Sequence, residues 1–134
     1  MGTWVKRYLC VLFLLWTVFH YPVNAAQDTV ESVARPAELE VVNRSIFTFR
    51  VSLLGEVPAV RAQRAQAVIN EILNGTEDPV VRLDAIQDSY LVLLGGRRAF
   101  IVTPKDIDPD TSVADAAAQV AQRLGKVVEE SQQA

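Results

Sequence analysis

The residue types that form disulfides and many metal or catalytic centres are confined to the first 25 residues of this 134-residue chain. The single Cys, His and Met and both Trp residues lie there, at Cys10, His20, Met1, Trp4 and Trp16. Residues 26–134 alone can therefore form no disulfide, no Cys or His site for zinc, haem or iron–sulfur clusters, and no Ser-His-Asp or Cys-His centre. We expect a non-enzymatic domain with no cofactor and no metal.

The first 25 residues have the pattern of a secretory signal peptide. Lys6 and Arg7 form a basic start, the apolar run 9–19 follows, and the segment ends in the small-residue pattern Val-Asn-Ala. We expect cleavage between Ala25 and Ala26.

An uncleaved membrane anchor is the competing interpretation of this segment. A spanning helix needs about 20 apolar residues, and His20 and Pro22 interrupt the run before that length. No later stretch is long enough, so we expect no permanent transmembrane helix in the mature chain. A secreted domain without Cys is compatible with a bacterial periplasm, where we place the mature protein, free or associated with the membrane.

The charge of the mature chain argues against a nucleic-acid partner. Cleavage removes two basic and no acidic residues, which leaves 11 basic and 16 acidic residues and a net charge of −5. Non-specific nucleic-acid binding depends on clustered Lys and Arg. We therefore expect protein partners and no nucleic acid.

The mature chain is predicted to form one small domain. Residues 26–38 are polar and contain Pro, which predicts a flexible leader, residues 39–131 form the domain, and residues 132–134 are a tail. Apolar and polar residues alternate from Val41 to Leu54, which predicts a half-buried strand. Apolar residues then recur at helical spacing from Pro58 to Asn74, with Arg61 and Arg64 assigned to the opposite, polar face.

Three short strands and a helix are predicted after residue 79. The strands are Val80–Ile86, Tyr90–Leu94 and Arg98–Thr103, with Gly95-Gly96 as the turn of a tight hairpin. Ser112 begins the last helix, which is expected to run to about Glu130. The order β-α-β-β-β-α predicts an α+β fold with one small antiparallel sheet and two amphipathic helices on one face.

Few polar residues are candidates for binding. Asn43, Arg44 and Arg50 lie on or beside the first predicted strand, either as contacts for a partner or small anion or as ordinary solvent-facing residues. Asp106 and Asp108 are not followed by the residues that a calcium loop requires at its later positions. They are better explained as acids at the entrance of the last helix. No catalytic pair can be assigned.

The linear pattern of residues 38–130 resembles the extracytoplasmic amino-terminal domain of some bacterial channels of the small-conductance mechanosensitive family. The residues that carry the resemblance are Val41–Arg50 (VVNRSIFTFR), Leu54-Gly55, Pro58, the helix with Arg61 and Arg64, Phe100–Thr103, and Asp106-x-Asp108 before an Ala-rich helix.

The resemblance implies a sensory or assembly domain that acts through protein contacts: with itself, with a channel's membrane subunit or with an envelope component. In those channels, membrane helices that form the pore follow the domain. The present sequence ends at 129–134, about where the first such helix is expected, so we expect a truncated or stand-alone relative that cannot conduct ions alone. The alternative is a periplasmic small-ligand-binding module with Asn43, Arg44 and Arg50 as polar contacts.

Overall fold

The computed structural model describes residues 35–134. The predicted signal peptide, its cleavage site between Ala25 and Ala26, and residues 26–34 of the predicted leader lie outside the described residues.

Five strands and two α-helices form the described part of the chain. They are β1 (Ala37–Val41), β2 (Arg44–Phe49), α1 (Pro58–Gly75), β3 (Val81–Ile86), β4 (Ser89–Leu94), β5 (Arg97–Val102) and α2 (Val113–Gln133), with a 3-10 turn at Pro104–Asp106. β1 and β2 form one antiparallel sheet, and β3, β4 and β5 form a second in that order. The predicted α+β class is confirmed, with two small sheets in place of the single sheet that we expected.

The first predicted strand, Val41 to Leu54, is corrected to a hairpin followed by a loop. Val42 and Asn43 have φ angles of 50° and 58°, which reverse the chain in a two-residue turn. β1 therefore begins inside the predicted leader, at Ala37. This turn is hard to predict from the residues alone, because a β-branched residue such as Val42 rarely adopts a positive φ.

A second tight turn follows β2. Leu53 and Glu56 exchange two backbone hydrogen bonds of 2.9 Å around Leu54 and Gly55, whose φ angles are 51° and 81°. The Leu54 side chain is 96% exposed. A bulky residue is thus held in the left-handed region at the tip of a turn, pointing away from the core.

The predicted three-strand meander is present. Gly95 and Gly96 connect β4 to β5 with φ angles of 56° and 76°, as a tight hairpin requires. Gly95 also lies against α1, because a Cβ there would stand 3.4 Å from side-chain atoms of Ile72 and Pro79. The hairpin is therefore fixed by both backbone conformation and close packing.

Both predicted helices are present. Pro58 occupies the first turn of α1, where a missing N–H costs nothing, and the Ser112 hydroxyl accepts a 3.0 Å hydrogen bond from the Asp115 N–H at the start of α2. α2 continues to Gln133, so most of the predicted tail is helical. Within residues 35–134, neither helix is long and apolar enough to cross a membrane.

The core lies between the helices and the two sheets. Its centre is an aromatic cluster of Phe47, Phe49 and Phe100, with ring centroids 5.2–5.9 Å apart. The fully buried side chains around this cluster include Leu39, Val41, Ile46, Ile69, Leu94, Val102, Leu124 and Val127. Each sheet and each helix contributes to this set, so the two sheets share one hydrophobic core.

Candidate functional site

The most heavily bonded polar group of the described chain is a buried ion pair between Arg61 of α1 and Asp106 of the 3-10 turn. Two nitrogens of the guanidinium donate to the two carboxylate oxygens, each at 2.8 Å. The residues are only 6% and 2% exposed. This two-point geometry is the strongest arrangement that an arginine and a carboxylate can form.

Further hydrogen bonds surround the Asp106 carboxylate. The Arg50 and Val51 backbone N–H groups donate to one oxygen, at 3.0 and 3.3 Å, and the Thr103 hydroxyl donates to the other at 2.8 Å. These bonds hold the chain just after β2, which ends at Phe49, against the 3-10 turn.

The Arg61 guanidinium is enclosed as well. It donates to the Val51 carbonyl at 2.6 Å and to the Ile101 carbonyl at 3.4 Å, and its central carbon lies 4.5 Å from the centre of the Phe49 ring. The pair thus joins α1, the end of β2 and the segment after β5. A buried pair with its hydrogen bonds satisfied is a structural cross-link, and it leaves neither group free to act as an acid or a base.

The hydrogen bonds set the protonation of Asp106. Burial alone would raise the pKa of this carboxyl, but the hydrogen bonds from Arg61, the Arg50 backbone and Thr103 outweigh it and hold the pKa below its ordinary value of 3.8. The carboxylate is therefore charged throughout the neutral and mildly acidic range.

We expect this lowered pKa to make folding stability acid-sensitive. A carboxyl with a lower pKa in the folded than in the unfolded state stabilises the fold fully above the unfolded pKa, and the contribution is lost as the pH falls through the folded pKa. The free energy of unfolding should therefore decrease as the pH drops below about 3.8, as measured by urea titrations between pH 6 and 2.

An Asp106→Asn variant provides the comparison. It should be less stable at neutral pH and should lose less stability on acidification than the wild-type protein. The carboxyls of Asp108 and Glu130, whose pKa values are also lowered by hydrogen bonds from Arg50 and Arg44, titrate in both proteins and so cancel in the comparison. Parallel pH profiles would contradict a role for Asp106.

The three residues predicted as binding contacts do not form one site. Asn43 lies in the β1–β2 turn, and Arg44, beside it, donates two hydrogen bonds to the Glu130 carboxylate of α2. Arg50 lies six residues further along, beyond the other end of β2, and pairs with Asp108. At about 3.3 Å per residue, this spacing puts Arg50 roughly 20 Å from Arg44.

Arg50 nevertheless lines a cleft of about 260 Å³ between β2, the 106–111 segment and α2. We refer to it as the Arg50–Arg123 cleft. Its lining residues are Phe47, Thr48, Arg50, Asp106, Ile107, Asp108, Thr111, Ala116, Gln119, Val120 and Arg123. Arg50 is one of the predicted binding contacts, whereas Arg123 is not and lies on α2, more than seventy positions away.

The predicted position of Arg61 on the polar face of α1 and that of Asp106 at the entrance of α2 are both wrong, because the two side chains are buried against each other. The missed signal lies in the spacing of α1, because Ala65, Ile69 and Ile72 follow Arg61 at intervals of four, four and three residues. Arg61 thus lies on the apolar stripe. A charge on such a stripe requires a buried partner, which the sequence could not identify.

The fold and these contacts define a small α+β domain with a buried arginine–aspartate cross-link and an open polar cleft. Residues 38–131 match the family model of a domain of unknown function, DUF8459, and the chain belongs to that family. No curated protein and no solved structure matches the chain.

Proposed function

We propose that this chain is a non-enzymatic periplasmic domain that acts through protein contacts, as the resemblance to the extracytoplasmic domain of small-conductance mechanosensitive channels implies. The compartment follows from the predicted signal peptide. The buried Arg61–Asp106 pair is unsuited to acid–base chemistry, because the hydrogen bonds of this cross-link occupy both charged groups.

The observation that carries the proposal is the turn at Leu54. Its side chain is 96% exposed, although its φ of 51° is unfavourable for a residue with a bulky side chain. Strained residues that persist on a surface are concentrated at functional sites. A neighbouring apolar cleft of about 210 Å³ is lined by Phe49, Ala65 and Phe100 among others. Together, the protruding leucine and the cleft are suited to contact with another protein.

The Leu54 turn provides a test in which stability and contact change in opposite directions. Leu54→Asn should raise the free energy of unfolding by about 1 kcal/mol, because Asn tolerates the left-handed conformation. The same substitution should remove the contact. Stability is measured by urea titration of the purified protein, and contact by photo-crosslinking in cells that produce the protein naturally, with the photoreactive residue at exposed Ser52.

Val80→Asn is the matched control, because Val80 is also an exposed apolar residue, at 72%. A crosslinked partner that is lost in Leu54→Asn but retained in Val80→Asn supports the proposal. A partner with membrane helices would support the channel-like role in particular. Crosslinking that is absent at Ser52, or that is unaffected by Leu54→Asn, would argue against contact through this turn.

A further inference from the structure

The Arg50–Arg123 cleft has a rim rich in hydrogen-bond donors. Arg50, Thr111, Gln119 and Arg123 contribute side-chain donors to its lining. The outer edge of β2 is free of strand pairing, because β2 pairs only with β1 in its sheet. On that edge the Arg50 N–H is already bound to Asp106, and alternation along the strand turns the Thr48 N–H toward the same edge as a further donor.

Arg123 is the uncompensated charge of this lining. Its guanidinium makes one long hydrogen bond, 3.4 Å, to the Ile46 carbonyl, and among residues 35–134 it forms no salt bridge. The two carboxylates of the cleft are already bound, Asp106 by Arg61 and Asp108 by Arg50. An anion that enters the cleft can therefore bind the Arg123 guanidinium without displacing a carboxylate from it.

Part of the cleft lining is apolar. Phe47, Ile107, Ala116 and Val120 contribute to it, and Phe47 and Val120 belong to the hydrophobic core. The volume of about 260 Å³ lies below the roughly 300–1,000 Å³ that drug-sized ligands occupy. A small ligand with one charged and one apolar end fits these dimensions and this polarity.

We propose that the Arg50–Arg123 cleft binds an organic carboxylate with a short branched apolar chain. The carboxylate accepts hydrogen bonds from the Arg123 guanidinium and from the rim donors, because a planar guanidinium matches a carboxylate at two points. The apolar chain lies against Ile107 and Ala116, the half-buried apolar residues of the lining. This site is separate from the Leu54 turn and goes beyond the proposed protein contact.

Amide NMR titration of the labelled full-length mature protein tests the site with three probes of similar shape. Isovalerate represents a free acid, N-acetyl-leucine represents the carboxyl end of a peptide, and isovaleramide is the neutral control. We expect saturable shifts at Thr48 and Gln119 with isovalerate, with a dissociation constant on the order of 1 mM for so small a ligand. Tighter binding of N-acetyl-leucine would identify a peptide end as the source, and tighter binding of isovalerate would identify a free acid.

Arg123→Gln should weaken binding about tenfold or more, as expected for loss of a charged hydrogen-bond donor. Because Arg123 is exposed and makes one long hydrogen bond, the fold should be unaffected, and the unchanged remainder of the spectrum checks this. Arg98→Gln removes the same charge from an exposed position on β5 and should leave the affinity unchanged. Equal binding of isovaleramide, equal loss in both variants, or no saturable shift with either acid would overturn the proposal.

Discussion

Arg61→Met is expected to lower the free energy of unfolding by about 3–5 kcal/mol, the usual cost of removing one partner from a buried ion pair. Methionine retains much of the apolar stem of Arg61, but the Asp106 carboxylate remains in the core without its cation. The hydrogen bonds from Thr103 and the backbone compensate only part of that charge. Urea denaturation at neutral pH, followed by circular dichroism, measures the loss.

Arg64→Met is the matched control for this substitution. Arg64 lies on the same helix and pairs with Glu56, but its side chain is 65% exposed, and exposed pairs contribute at most about 1 kcal/mol. Arg61→Lys should recover only part of the loss, because an ammonium group cannot bond both carboxylate oxygens in the same planar fork. If Arg61→Met costs no more than Arg64→Met, the buried pair is not a stabilising cross-link.

Phe49→Ala is expected to cost about 3–5 kcal/mol as well, because it leaves a large cavity in a closely packed core. Phe49 is 1% exposed, its ring contacts Phe47 and Phe100 edge to face, and it also lies beneath the Arg61 guanidinium. Chemical denaturation gives the free energy of unfolding.

Val80→Ala, at an exposed position, should change stability by less than about 0.5 kcal/mol. Phe49→Ala combined with Arg61→Met should cost less than the sum of the single changes, because the two side chains are in contact. A cost below about 1 kcal/mol for Phe49→Ala would show that the aromatic cluster contributes less to the free energy of unfolding than its burial indicates.

The sequence was sufficient to predict elements that rest on local signals. The spacing of apolar residues located both helices, Ser112 marked the start of α2, and Gly95-Gly96 marked the β4–β5 hairpin. The β1–β2 turn was missed because Val42, its first residue, is a poor residue for a positive φ.

The candidate site was harder to predict because its members are distant in sequence. Arg61 and Asp106 are 45 positions apart, and alternation or helical spacing says nothing about which charge meets which across that distance. Arg50 was identified as a polar residue beside a strand, but its neighbour across the cleft, Arg123, lies on the last helix. Sequence patterns assigned each residue to an element, and only the packing of those elements determined the partners.

The Arg50–Arg123 cleft joins the first sheet to the last helix, and this has a consequence for the order in which the domain is completed. A chain that is synthesised or exported from its amino terminus presents β1, β2 and α1 well before α2. The partners of the Arg44–Glu130 pair lie 86 positions apart, and this pair also forms only when α2 has docked. Docking of α2 therefore completes the cleft, so an intact cleft indicates that the last helix has packed against the first sheet.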